Sequence, residues 1–373
     1  MYIKSIKLKN FRNYDSLEID FDRNVNFILG QNAQGKTNLL ESIFITSMGK
    51  SFRTLRDAEM IGFNKNFAGI YEEISKDGID GSVEIIIDKT GKKFVKLDGV
   101  KIKKASELLK NVYIVIFSPE DLKIVKDEPE KRRRFIDREL CQIKPSYCDS
   151  LSNYKKALQQ RNAYLKEEII DPSILDIWDM QLAAYGARIM AGRNDFIKKL
   201  SHISSEIHGG ITGGKEELKL RYAPNTEFFN DTAHQENYLY EMLKNFRDND
   251  LRQRTTTKGP HKDDMEFYID GINARNFGSQ GQQRTCALSL KLAEINIIEE
   301  ETGEKPILLL DDVMSELDSS RQKFLVKSLD HIQLFITTTE IQQNLLDEFP
   351  NKTVFYVKNG LVEKAEKMKG RKN

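Results

Sequence analysis

Gly30-Gln31-Asn32-Ala33-Gln34-Gly35-Lys36-Thr37, with Asn38 after it, decides the fold class of this 373-residue chain. The stretch fills every fixed position of the phosphate-binding loop G-x-x-x-x-G-K-[ST]. Each residue type answers a physical need. Gly30 and Gly35 let the backbone curl until its N–H groups face an anion. Lys36 brings positive charge to the outer phosphates, and the Thr37 hydroxyl suits Mg²⁺. The pattern alone arises by chance in some chains, so its flanks matter. Val25 to Leu29 is a short apolar strand running into the loop, and from Lys36 to Ser47 the apolar spacing turns helical. Such a helix aims its N-terminus at the bound phosphates. Strand, glycine loop and helix in that order predict an α/β nucleotide-binding domain with ATP and Mg²⁺ as cofactors.

Two later segments belong to the same chemistry. Ile307-Leu308-Leu309-Leu310-Asp311-Asp312 is an apolar strand ending in acids. Asp311 is expected to hold Mg²⁺, through water, and Asp312 to orient or deprotonate the attacking water. The bland alternative is a surface acidic pair after a core strand. Ser279-Gln280-Gly281-Gln282-Gln283-Arg284 opens a helix upstream of that strand. Alone it is a serine cap, a glycine and polar residues at a helix start. Its place between the other two segments makes it informative. Here the sequence resembles the ABC-type ATPases, whose signature loop has the form Ser-x-Gly-Gln. The resemblance implies a P-loop ATPase head of mixed sheet and helices. In it, Ser279, Gly281 and Gln282 complete the γ-phosphate site of the opposite subunit. Ser315-Glu316-Leu317-Asp318 matches that family's loop at the dimer interface.

Other stretches narrow the likeness. Phe11-Arg12-Asn13-Tyr14 follows the first strand, as in chromosome-maintenance and repair ATPases. Phe117 to Leu122, Pro129, Arg132-Arg133-Arg134-Phe135-Ile136-Asp137, and Gly259-Pro260-His261-Lys262-Asp263-Asp264 resemble the RecF recombination-mediator family. That resemblance implies a homodimer formed on ATP, which binds single-stranded DNA and junctions with double strands. It also implies RecR and RecO as partners, Arg12 as an ATP contact, and hydrolysis that releases DNA. Two departures stand out. Asp312 is one methylene shorter than the Glu of many ABC-type ATPases, which predicts slow hydrolysis. Thr339, in Thr337-Thr338-Thr339-Glu340, is expected at the position of the transporters' switch histidine. No lid-loop Gln is identifiable, and Ser118 to Asp121 is the region that would carry one.

The middle of the chain reads differently. Leu151, Tyr154, Leu158 and Leu165, then Leu175, Trp178, Leu182, Tyr185 and Ile189, repeat at helical spacing around the break at Asp171-Pro172-Ser173. Two readings are open, a projecting helical arm and a helical subdomain packed on the head. The predicted organisation is a head from 1–138 and 250–373, split by a helical insertion at 139–249.

Charge excludes a uniformly basic protein: 58 Lys and Arg against 57 Asp and Glu leave a net charge of +1. Local surpluses are larger, six over residues 89–110, three over 123–138, three over 247–262 and four over 364–373. A lone patch is usually a solvated face; several on one ATPase point to contact with a DNA backbone. The three cysteines and five histidines lack metal spacing, and a reducing, cytoplasmic setting is expected. The longest apolar runs fall far below the roughly 18 residues of a membrane span. A transporter ATPase subunit and another structural ATPase of the chromosome-maintenance type remain the alternatives.

Overall fold

The computed structural model describes residues 1–329, 331–339, 349, 351–364 and 368–369. Two compact units are present: Met1–Asp121 with Glu294–Asn373, and Leu122–Ala293. The boundaries expected at 138/139 and 249/250 follow composition, whereas these units follow packing.

The first unit begins with β1 (Tyr2–Phe11), β2 (Tyr14–Asp20) and β3 (Val25–Leu29), then α1 (Lys36–Met48). After it come β4 (Phe67–Lys76), β5 (Ile79–Asp88), β6 (Lys93–Leu97), β7 (Val100–Lys101), the short α2 (Ala105–Leu108) and β8 (Ile114–Phe117). Alternation builds the first sheet. Ile6 and Leu8 of β1 are buried, while Lys7 and Lys9 face solvent. The sheet is antiparallel, in the order β2-β1-β4-β5-β6-β7. Its apolar face shares one core with Leu40, Ile43 and Phe44 of α1. Each such fully buried side chain contributes about 1.5–3 kcal/mol.

The second unit is mainly helical: α3 (Pro129–Ile143), α4 (Pro145–Tyr164) and the 41-residue α5 (Pro172–Thr212). β9 (Leu218–Ala223), α6 (Thr232–Asn245), α7 (Arg247–Gln253), β10 (Asp264–Ile269), β11 (Ile272–Asn273), α8 (Ala274–Phe277) and the start of α9 (Gln280–Thr302) complete it. Asp171 caps α5 by accepting from the Ser173 N–H, and Gly213 ends it in the left-handed region. The hairpin of α4 and α5 is present as a packed body, because α5 lies against α3, α4, α6 and β9. β9 was not expected. Its alternation of buried Leu218 and Leu220 with exposed Lys219 and Arg221 is a short period-2 signal inside a stretch read as helical.

Buried ion pairs knit this unit. Arg161 and Asp179 are wholly buried and meet at 2.6 Å, and the same guanidinium reaches Asp250 at 2.7 Å. Arg193 pairs with Asp137 at 2.9 Å and Asp263 at 3.3 Å, and donates to the Pro260 carbonyl at 2.6 Å. Arg132 grips both oxygens of Asp264, at 2.6 and 2.9 Å, and Arg133 donates to the Asp263 carbonyl at 2.5 Å. The segments 132–137 and 259–264 are therefore fastened to each other. Breaking one partner out of such a pair costs about 3–5 kcal/mol.

His261 makes this cluster sensitive to pH. Its Nε2 lies 3.0 Å from the Thr256 carbonyl, so that nitrogen holds the proton, and Nδ1 accepts from the Tyr154 hydroxyl at 2.7 Å. A neutral ring satisfies both contacts, and desolvation lowers its pKa from 6.5 to about 4. Between those values the unfolded chain binds a proton that the folded chain does not. The stabilisation is thus complete above pH 6.5 and lost as the pH falls toward 4. Urea midpoints across that window should fall less steeply for His261→Gln than for the wild type, a difference of order 3 kcal/mol. Asp263, pushed up by burial, has the opposite sign but is common to both proteins. Parallel curves would refute the assignment.

The chain returns to the first unit with the end of α9, then β12 (Ile307–Asp311), α10 (Ser319–Lys327), β13 (Leu334–Thr338), β14 (Asn351–Lys358), β15 (Leu361–Lys364) and β16 (Met368–Lys369). The second sheet runs β15-β14-β3-β13-β12-β8, with β16 on β14. β14, β3, β13, β12 and β8 are parallel. Both faces of this core are covered, so β3, β8 and β12 are buried along their whole length rather than alternating, and the one polar residue inside them, Asn26 of β3, donates to the Asp22 carbonyl at 2.8 Å. Parallel order places the carboxyl ends of β3, β13 and β12 side by side. Among the described residues no helix is long and apolar enough to cross a membrane.

Candidate functional site

The loop after β3 curls as its sequence requires. Gly35 has φ +124°, and a Cβ there would sit 2.7 Å from Asn13 Nδ2 and 2.9 Å from the Tyr14 hydroxyl. A Cβ on Gly30 would meet the Val357 carbonyl oxygen at 2.4 Å. Gln31, Asn32 and Ala33 are exposed, with Ala33 left-handed at φ 63°. Lys36 is buried at the first turn of α1, and its ammonium donates to the Gly30 carbonyl at 2.8 Å.

The acidic strand end meets this loop. Thr37 Oγ1 donates to Asp311 Oδ1 at 3.0 Å. Thr337, at the carboxyl end of the intervening β13, donates to the same oxygen at 2.9 Å. That hydroxyl also accepts from the Asp312 N–H at 2.8 Å. One threonine therefore fixes both acids, a role sequence reasoning missed. A β-branched residue in a strand passes as ordinary sheet composition. Burial pushes the Asp311 carboxyl up, opposed by the hydrogen bonds from Thr337 and Thr37. An all-oxygen set of hydroxyl and desolvated carboxylate fits Mg²⁺, which takes few protein ligands and keeps its waters. Asp312 stands in the left-handed region at φ 52°. Its Oδ2 is 3.8 Å from Lys36 Nζ, and about a third of its side chain is exposed.

Phe11 to Tyr14 form a shelf under the loop. Asn13 donates to the Gln34 carbonyl at 2.9 Å, and the Tyr14 hydroxyl to the Gly35 carbonyl at 3.0 Å. Gln34 is also fixed by the backbone N–H of Asn359 and Gly360. Asn38 donates to Asn13 and accepts from Arg53. Arg12 grips both oxygens of the fully buried Glu41 on α1, at 2.8 and 2.7 Å, and donates to the Glu59 carbonyl at 2.6 Å. This places Arg12 as a strut holding α1 to the shelf. Thr339 is exposed just beyond β13, and Glu340 lies outside the described residues. Ser118 donates to Asp121 through its N–H and hydroxyl, at 2.8 and 2.9 Å, so that stretch is a capped turn.

Ser279, Gly281 and Gln282 lie in the second unit, at the start of α9. Ser279 is exposed, and the two side chains cap each other's backbone. The Ser279 N–H donates to Gln282 Oε1 at 2.9 Å, and the Gln282 N–H to Ser279 Oγ at 3.2 Å. This is a reciprocal capping box. Ser279 keeps its hydroxyl proton free of that arrangement, and the 23-residue helix lends the site positive character. Gln282 Nε2 donates to Glu216 Oε1 at 3.0 Å, so Gln282 is committed to building the loop.

The basic surpluses separate once side chains are placed. Over 123–138, Arg132 and Arg133 serve buried contacts, and Arg134, Lys131 and Arg138 pair with Glu130, Asp127 and Glu139. Arg247 is spent on Asp176 and Asp179. Over 89–110, Lys93 and Lys96 pair with Asp57 and Glu84, whereas Lys89, Lys92, Lys101, Lys103, Lys104 and Lys110 are exposed. Most of the tail 364–373 lies outside the described residues.

Comparison with known proteins follows the same lines. A family model described as the RecF/RecN/SMC N terminal domain matches residues 2–362. A protein of Clostridioides difficile (strain 630) called "DNA replication and repair protein RecF" is 45% identical, covering 98% of this chain and 99% of its own. One of the same name from Clostridium botulinum (strain Okra / Type B1) is 46% identical, with 98% and 100% covered. The solved "Structure of the recombination mediator protein RecF-ATP in RecFOR pathway" superposes with a TM-score of 0.90 at 38% identity, covering 98% of this chain and 97% of that one. A Pyrococcus furiosus Smc head domain superposes at 0.54 and 17% identity, covering 98% of this chain and 96% of that one, a likeness of fold alone.

Proposed function

This chain belongs to the RecF family within the RecF/RecN/SMC ATPases, and on that premise we propose that it is an ATP-switched DNA clamp of DNA replication and recombination repair. The observation that carries the reading is the junction of Thr37, Asp311, Thr337 and Asp312 at one sheet end, beside Lys36. A nucleotide is held by the N–H groups of 30–37, with Lys36 moving from the Gly30 carbonyl to the outer phosphates. Mg²⁺, held by Thr37 and through water by Asp311, screens phosphate charge when bound. Asp312 accepts the proton of the attacking water. Ser279 of a second copy donates its hydroxyl to the γ-phosphate, so ATP joins two subunits. Gly281 allows the close approach, and Gln282 shapes the loop. Thr339 lies at the switch position, where its hydroxyl can contact the γ-phosphate. Loss of that phosphate removes the joining contacts and opens the dimer.

DNA is the proposed cargo, as single strands and junctions, with the cytoplasm as the setting and RecR and RecO as partners in loading a recombinase. The exposed lysines of 89–110 are the proposed backbone contacts; the 123–138 patch is largely spent on internal pairs, whereas Arg252, Arg254 and Lys262 of 247–262 are exposed and add to the positive charge open to DNA. Replacing Lys92, Lys101, Lys103 and Lys104 together by Ala should weaken DNA binding. The slope of log affinity against log salt should fall by about 3, roughly 0.7–0.9 for each phosphate that is no longer neutralised. An unchanged slope removes this surface from the clamp. Sedimentation with and without ATP and DNA tests the whole reading. Dimers holding DNA are expected with ATP, and fewer with Lys36→Arg. Monomers under every condition, with unaltered DNA affinity, would overturn it.

A further inference from the structure

We propose that Glu216, backed by the buried His208, is a positioning residue for the Ser279 loop, acting through Gln282. The proposal rests on the reading in which that loop completes the partner's γ-phosphate site. Glu216 is half-buried in the turn between α5 and β9, more than sixty residues before the loop. One carboxylate serves two partners. Oε1 accepts from Gln282 Nε2 at 3.0 Å, and Oε2 lies 3.1 Å from His208 Nε2. His208 has no solvent-exposed surface, and its Nδ1 lies 3.3 Å from the hydroxyl of equally buried Ser289. Ser289 is two and a half turns along the helix that Ser279 caps.

The geometry gives Glu216 a specific task. A glutamine amide has a donor end and an acceptor end. Its acceptor end must face the Ser279 N–H for the reciprocal cap to exist. A carboxylate accepts only, so Glu216 admits the NH₂ end alone and thereby turns Oε1 toward Ser279. Without it the amide is free to rotate and the cap is lost for part of the time. The Gln282 N–H still reaches Ser279 Oγ, but the Ser279 backbone is then no longer fixed, and its hydroxyl loses a set direction toward a phosphate. An ordinary surface tether would not need a carboxylate whose other oxygen is anchored to a buried ring.

The test compares Glu216→Ala, Glu216→Gln, Gln282→Met and Ser279→Arg. ATP-dependent dimerisation is followed by sedimentation, ATP affinity of the monomer by a fluorescent nucleotide, and hydrolysis at saturating ATP. Glu216→Ala and Gln282→Met should each weaken dimerisation about five- to tenfold, the size of a lost helix cap, with monomer ATP affinity unchanged. Glu216→Gln, which keeps an acceptor, should recover part of the loss. Mixing Glu216→Ala with Asp311→Asn subunits should restore hydrolysis, because one composite site in the mixed dimer is intact. Mixing Glu216→Ala with Ser279→Arg should not. Should Glu216→Ala fold poorly by thermal melting, Gln282→Met decides. Wild-type dimerisation in the Glu216 and Gln282 variants, with Ser279→Arg defective, would overturn the proposal and leave the trans site standing. Wild-type dimerisation in Ser279→Arg as well would overturn the trans site itself.

Discussion

Arginine in place of Ser279 is expected to weaken ATP-dependent dimerisation by more than 100-fold and to abolish ATP-dependent retention of DNA. Two losses combine. The capping box disappears, because arginine offers no acceptor to the Gln282 N–H, at a cost of about 0.5–2 kcal/mol. The longer side chain then fills the space above the helix N-terminus that a neighbour's phosphate must enter, so the approach is blocked as well as weakened. Ser279 is exposed and sits in the second unit, whereas Lys36, Thr37 and Asp311 sit in the first. Because the proposed role of Ser279 is at the partner's nucleotide, nucleotide affinity of the isolated subunit should stay within about twofold. Sedimentation with ATP and a fluorescent-nucleotide titration on the same preparation separate the two quantities. Equal loss in both would mean that the loop serves ATP within its own chain, and the clamp model would fall.

How far the site could be read from the chain depended on how local each signal was. The phosphate loop needs nothing beyond its own residues and its flanking strand and helix, and that strand and helix are present where the sequence puts them. Asp311 was legible because a parallel strand buried on both faces leaves an unmistakable apolar run, and the acid at its end is conspicuous. Thr337 was not, since its importance arises only when β13 falls between β3 and β12 and brings its hydroxyl to both acids. Strand order is not written in local pattern. Glu216 is hidden for the same reason, its partner being 66 positions away. Charge surpluses are the least local of these signals. Arg132 and Arg133 look like an exposed basic run, yet their carboxylate and carbonyl partners lie about 130 residues on. Arg12 was expected at the nucleotide; its contacts to Glu41 and the Glu59 carbonyl, 29 and 47 residues on, are a further arrangement that local pattern does not carry. Nor does local pattern show that Asn13 and Tyr14 hydrogen-bond the carbonyls of Gln34 and Gly35.

Asp312→Asn is expected to slow hydrolysis by at least 100-fold while leaving the ATP-bound dimer intact, so that dimers accumulate on DNA. General-base assistance contributes typically 10²–10⁴-fold, and the amide cannot take the proton from water. The substitution is otherwise mild. Asparagine is among the few residues that accept the left-handed backbone found at this position, so the Asp312 N–H remains on the Thr337 hydroxyl. The loss of charge also frees Lys36 from a carboxylate 3.8 Å away, which favours its transfer to phosphate. Asp312→Glu tests the complementary point. If reach limits turnover, the added methylene should raise the rate, even against the strain of about 1–2 kcal/mol that glutamate meets at φ 52°. Single-turnover hydrolysis of the three proteins, with dimer lifetime measured alongside, decides both. Wild-type turnover in Asp312→Asn would remove Asp312 from the proton transfer. A slower Asp312→Glu would show that short reach is not what holds the rate down.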